Sequence, residues 1–142
     1  MSHAAAADSR PAFRWPVRVY YEDTDAGGVV YYANYLRFLE RARTEWLRAA
    51  GFEQPQLLRD FDVIFVVRAL TIEYLRPARF NDLLSVTVHP QRIGRSLLEV
   101  EQIILREEPL VHAQVKIACV QGSTFRPVSI PAPVRHRLEN PS

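Results

Sequence analysis

Cysteine is almost missing from this sequence: Cys119 stands alone, so no disulfide can form within the chain and no secreted, disulfide-stapled scaffold is in view. Long hydrophobic runs are missing too, and none approaches the ~20 residues that span a bilayer. The opening stretch MSHAAAADSR has neither a basic n-region nor a useful apolar h-region, so residues 1–12 read as a disordered leader rather than a signal peptide. A reducing, cytoplasmic setting is the expectation. Charge of one sign is also scarce. A net +2 is too small to point to nucleic acid. Lysine is nearly absent, Lys116 being the one lysine among 18 basic residues. That bias reads either as a compositional habit of the source or as arginines that grip an anionic ligand with their planar forks.

The usual catalytic apparatus is missing as well. There is no G-x-S-x-G nucleophile elbow. The four histidines, His3, His89, His112 and His136, are scattered, and no Cys/His spacing suggests zinc. Gly27-Gly28 lacks both the P-loop lysine and the dinucleotide-binding pattern. A calcium loop starting at Asp23 fails at its twelfth position, which is Asn34 rather than glutamate. Neither a metal nor a resident cofactor is therefore expected.

What is present is a hydrophobic fraction of 48% over 142 residues, enough for one domain with its own core. FRWPVRVYY (13–21) alternates like a strand. From about Tyr32 to Ala50 the period changes: Tyr35, Leu39, Ala42, Trp46 and Ala49 recur at three or four residues, opposite Arg37, Arg41, Glu45 and Arg48. The spacing predicts an amphipathic helix of about five turns, stopped by Gly51. A helical turn is expected at 55–60. Four more strands follow at 63–75, 83–90, 96–107 and 110–120, with the connectors RIGRS and REEPL short enough for hairpins. In the last strand Val111, Ala113, Val115, Ile117 and Cys119 face inward, which makes Cys119 a packed small hydrophobe rather than a nucleophile. His89 and His112 fall on the opposite faces. The tail from Arg126, with Pro127, Pro131 and Pro133, reads as an edge extension and then a loose end over 136–142. One helix and about five antiparallel strands make an α+β domain over residues 13–135, with a curved sheet wrapped around the helix. The sheet's other face needs cover, so a homo-oligomer is expected.

The stretch YYEDTDAGGVVYYANYL (20–36) crowds three acids, Glu22, Asp23 and Asp25, ahead of two glycines and the helix start. For Glu22 and Asp23 the residue types favour turn-making bonds to nearby backbone. Asp25 stands at the mouth of the long helix, where unpaired N–H groups and the helix dipole favour negative charge. Such N–H groups can also polarise a carbonyl, and a carboxylate beside them can act as nucleophile or general base. Residue chemistry alone leaves two readings of Asp25 open, an acyl-transfer catalyst and a helix-capping aspartate without a catalytic role.

This stretch resembles the signature of hot-dog-fold thioesterases of the 4-hydroxybenzoyl-CoA thioesterase type. More closely it resembles the acyl-CoA thioesterases associated with the bacterial Tol–Pal system. The likeness continues through ERARTEWLR, FVVRALTIEYLRPARFNDLL and SLLEVEQIIL and covers about residues 13–135. The resemblance implies a helix wrapped by an antiparallel sheet, dimers or tetramers, and acyl-CoA as substrate, with coenzyme A entering only as part of substrate and product. It makes Asp25 the catalytic carboxylate and gives the thioester carbonyl to the backbone N–H of Tyr32. Tyr32 stands where the Tol–Pal-associated members commonly carry histidine. The resemblance also puts coenzyme A phosphates near RIGRS, at Arg95 and Ser96 with Arg92 a weaker match, and brings Val66, Val67 and Arg68 to the pocket from a second subunit. Acyl carrier protein is a further candidate partner. The rival readings are a hot-dog dehydratase, which would pair a histidine with the carboxylate, and a non-catalytic acyl-CoA or acyl-carrier-protein binding module serving phospholipid or envelope machinery.

Overall fold

The structure is a computed structural model that describes residues 12–141; residues 1–11 of the expected leader lie outside the described residues. Strands β1 (Phe13–Arg18), β2 (Val63–Tyr74), β3 (Leu83–Ile93), β4 (Leu97–Arg106) and β5 (Glu108–Gln121) form one antiparallel sheet in the order β1-β3-β4-β5-β2. The sheet curves around helix α1 (Tyr35–Ala49), the hot-dog arrangement that the resemblance implies. Helix α2 (Gln54–Phe61) fills the expected helical turn.

Helix α1 forms because its apolar side chains line one face. Tyr35, Phe38, Leu39, Ala42 and Leu47 are buried against the sheet, while Arg37, Arg41 and Arg48 stay in solvent. Each large side chain buried this way contributes ~1.5–3 kcal/mol. The stripe is rotated slightly from the expected one: Trp46 is half-buried and Ala49 exposed. Gly51 ends the helix at φ +97°, with its N–H on the Arg48 carbonyl and the Phe52 N–H on the Leu47 carbonyl, a Schellman closure. From β4, buried Gln102 donates to the Leu39 and Thr87 carbonyls at 3.1 and 3.2 Å and accepts from Arg43 at 3.0 Å. This one amide ties helix to sheet.

The alternation in β5 is as the pattern predicts, with Val111, Ala113, Val115, Ile117 and Cys119 all buried. Burial pushes the Cys119 thiol up to about 11, in keeping with a packing role. Three expectations change. The first strand stops at Arg18 because the chain turns into a 3-10 turn at Tyr21–Asp23, leaving Tyr21 in solvent stacked on Phe80. A second 3-10 turn, Tyr32–Asn34, precedes α1, so the regular helix starts three residues later than the spacing predicts. The tail first pairs beside β5, through a Val120–Pro127 bridge, and then forms helix α3 (Ala132–Glu139) where a loose end was expected. Val134 and Leu138, one turn apart, are buried, and Pro133 sits in the first turn, where its missing N–H costs nothing. Helix α3 thus crosses the expected domain end at 135. Among the described residues no helix is long and apolar enough to cross a membrane.

Candidate active site

Residues 20–34 form a loop between β1 and α1, and each of its turns follows from the residues there. The Asp25 N–H donates to the Val29 carbonyl at 2.9 Å, and the Gly28 N–H donates to the Asp25 carbonyl at 3.0 Å. Gly28 takes φ +80°, a conformation open to glycine at no steric cost. A bridge between Thr24 and Val30 closes the turn's base. Within it the Asp25 carboxylate is exposed, and its Oδ1 accepts the Gly27 N–H at 2.8 Å. That bond turns the side chain by the local backbone alone.

The loop is pinned to the chain that follows β2. The Val30 N–H donates to the Ala78 carbonyl at 2.9 Å, Val29 bridges to Arg79, and the buried Tyr35 hydroxyl accepts the Ala78 N–H at 3.0 Å. Burial raises the Tyr35 pKa, with the Ala78 N–H opposing it. Tyr74, at the end of β2, donates its hydroxyl to the Tyr32 carbonyl at 3.2 Å. Tyr31, Tyr32, Tyr74 and Tyr35 form one aromatic cluster, with successive ring centroids 4.8, 6.3 and 5.6 Å apart. Tyr32 is the first residue of its 3-10 turn, so its N–H precedes the first bond that turn can make. Asp25 and Tyr32 thus share one pinned loop at the positive end of α1.

Asp23 behaves as its residue type suggests. It is buried, its Oδ2 accepts the Tyr20 N–H at 2.8 Å, and its Oδ1 accepts from Asn34 Nδ2 at 2.7 Å. Thr24 donates its hydroxyl to the Tyr21 carbonyl at 2.8 Å.

The other anticipated residues lie elsewhere in the chain. Arg92, Arg95 and Ser96 sit at the β3–β4 turn, and no hydrogen bond or ion pair among the described residues joins that turn to the Asp25 loop. Arg95 is exposed and donates Nε to Ser129 Oγ at 2.9 Å. Arg92 is 3.5 Å from Glu99, beside a bulge in the β3–β4 register. Arg135 of α3 donates to the carbonyls of Ile93, Gly94 and Arg95, bracing the turn from below. Ser96 accepts the Cys119 N–H through its carbonyl at 2.8 Å. Val67 and Arg68 lie at a bulge in edge strand β2, both exposed. Val67 lines a cavity of about 480 Å³ with Arg43, Trp46, Leu47 and Phe65, and neither Asp25 nor Tyr32 is on its wall. Burial lowers the Arg43 pKa there. Asn34, Tyr74 and Arg135 escaped the sequence reading. Asn34 was hidden by placing the helix start at Tyr32, and the other two act across sequence gaps that only the closed sheet spans. Among the described residues no group of three or more histidine, cysteine, aspartate or glutamate side chains is arranged to hold a metal.

Comparison with known proteins shows the family and the fold. Residues 27–113, more than half of the chain, match the model of the thioesterase superfamily. The chain is 46% identical over 124 residues to the acyl-CoA thioesterase YbgC of Haemophilus influenzae, covering 87% of this chain and 91% of that one. It is 48% identical over 121 residues to the acyl-CoA thioester hydrolase YbgC of Escherichia coli O6:H1, covering 84% and 90%. Among solved structures, a probable thioesterase from Bartonella henselae superposes with a TM-score of 0.81 at 38% identity, over 85% of this chain and all of that one. The sheet and its central helix are thus shared with solved thioesterases, and the chain belongs to the thioesterase superfamily.

Proposed function

We propose that this chain hydrolyses acyl-CoA through Asp25 and the backbone N–H of Tyr32. The chain is a thioester hydrolase by family, and relatives at 46–48% identity are acyl-CoA thioesterases. The observation that carries the residue assignment is the loop itself, which holds an exposed carboxylate oriented by Gly27 seven residues before an amide at the helix start. Hydrogen bonding from Tyr32 N–H, aided by the positive end of α1, stabilises charge developing on the carbonyl oxygen; one such donor is worth ~3–4 kcal/mol where measured. Asp25 acts in one of two balanced ways. It attacks the carbonyl carbon, expelling the thiolate and leaving an anhydride that water opens, or it takes a proton from a water that attacks directly. Both routes give the free acid and the coenzyme A thiol.

Arg95 and Ser96, with Arg92 as a weaker partner, are proposed to meet the coenzyme A phosphates. The exposed Arg95 guanidinium on a turn braced by Arg135 supports that reading. The twelve-residue edge strand β2 leaves Val67, Leu70 and Tyr74 exposed at 49%, 36% and 46%. An uncovered apolar edge of that length favours pairing with a second copy, which would bring Val67 and Arg68 to a neighbouring site. Turnover is tested by free-thiol release from short, long and aromatic acyl-CoAs and from an acyl carrier protein thioester. Thiol release from at least one acyl-CoA is the expected result. Binding without release would replace hydrolysis with a carrier role.

A further inference from the structure

The loop buries a carboxylate at Asp23. Asp23 is 5% exposed and Asn34 8%. Both side-chain partners of Asp23 are donors, the Tyr20 N–H at 2.8 Å and Asn34 Nδ2 at 2.7 Å. Only a group with two acceptor oxygens and no hydrogen satisfies both, which a carboxylate does and an amide does not. The main chain links the two through Tyr31: the Tyr31 N–H donates to the Asp23 carbonyl at 3.0 Å, and the Asn34 N–H to the Tyr31 carbonyl at 2.8 Å. The segment between residues 23 and 34 is therefore closed by the side-chain bond, with a backbone closure from 23 to 31 inside it. Asp25 lies two residues inside one end of the side-chain closure and Tyr32 two residues inside the other. Asn34 spends its amide on Asp23 and makes no side-chain cap to α1, although it occupies the cap position.

We propose that Asp23 and Asn34 are a positioning pair that sets the Asp25 carboxylate and the Tyr32 N–H at the separation the thioester carbonyl requires. The inference rests on the function proposed above. Neither residue touches the reacting atoms. They act by fixing the two ends of the segment that carries both groups, where a misplacement near 1 Å costs about 100-fold in rate.

The pair has a chemical signature that a mere folding pin lacks, because its donor and acceptor can be exchanged. Asp23→Asn sets an NH₂ against one of two donors, and Asn34→Ala removes the amide. In the combined variant Asp23→Asn/Asn34→Asp, the amide oxygen at position 23 accepts from Tyr20 while its NH₂ donates to the new carboxylate at position 34. The test measures kcat and KM on the full-length protein, per folded molecule, well below each variant's melting temperature. Asp25→Asn serves as the control. Asp23→Asn and Asn34→Ala are each expected to lower kcat about tenfold or more with KM within about threefold, and the combined variant to return kcat to within about threefold of wild type. Single variants with near-normal kcat, beside an inactive Asp25→Asn, overturn the positioning pair and leave the proposed function standing. A combined variant no better than the singles overturns the pairing as well. An Asp25→Asn protein that keeps its turnover overturns both. Should Asp23→Asn fail to fold, Asn34→Ala decides the matter, since it leaves the carboxylate and its Tyr20 bond in place.

Discussion

Gly27 and Gly28 are neighbours with different work. The Gly27 N–H holds Asp25 Oδ1 at 2.8 Å, and a Cβ built on Gly27 would stand 3.2 Å from that same oxygen. Gly28 has open space around its missing Cβ but takes φ +80°. Gly27→Ala is therefore expected to shift the carboxylate by a few tenths of an ångström and lower kcat by several-fold, with the melting temperature within about 2 °C of wild type. Gly28→Ala is expected to cost about 1 kcal/mol of stability through left-handed strain. Urea unfolding and thiol release on both variants check the split; a large stability loss in Gly27→Ala would contradict it. At this scale the placement of Asp25 and Tyr32 on one loop ahead of α1 was legible, because both lie in one contiguous motif. Asn34 and Tyr74 were not. The Asn34 bond to Asp23 crosses a sequence separation of 11, and the Tyr74 bond to Tyr32 one of 42. Nothing in the local sequence encodes either contact.

Among the elements, the middle of the sheet carries a titrating contact on its outer side. His112 of β5 lies 2.9 Å from Glu101 of β4 and 3.5 Å from Glu73 of β2. The hydrogen bond to Glu101 raises its pKa above 6.5; partial burial opposes the shift and Glu73 adds to it. A histidine whose native pKa is raised favours the folded state when protonated. That stabilisation is fully present below the unfolded value of about 6.5 and disappears as the pH climbs through the raised native value. His112→Gln should accordingly lower the melting temperature most near pH 5.5 and progressively less toward about pH 9. Melting curves across that range read it directly, and a deficit that grows with pH would be inconsistent with this account. The strands themselves were legible, since period-two alternation in β5 marks its buried face without ambiguity. Helix α3 was misread because its prolines look like breakers, and only burial of Val134 and Leu138 shows that they open a helix. The end of β1 was misread because Asp23, not apolar spacing, turns the chain there.

For the whole molecule, one helix with five strands left few architectures to consider, so the wrapped sheet was readable from element count and the resemblance together. Which strands lie at the sheet edges was not, because β2 looks like any other strand until the strand order is known. The exposed apolar positions on β2 lead to an expected dimer in sedimentation equilibrium. Leu70→Glu should shift it toward monomer by putting like charges across the edge. An unchanged mass would move the interface elsewhere.

The central claim is that Asp25 carries the chemistry, and the most direct measurement compares thiol release by wild type and Asp25→Asn on the acyl-CoA that the wild type turns over best. With folding and mass unchanged, the account predicts a loss of at least about 100-fold in kcat. Equal turnover by the two proteins would contradict it and remove Asp25 from the reaction.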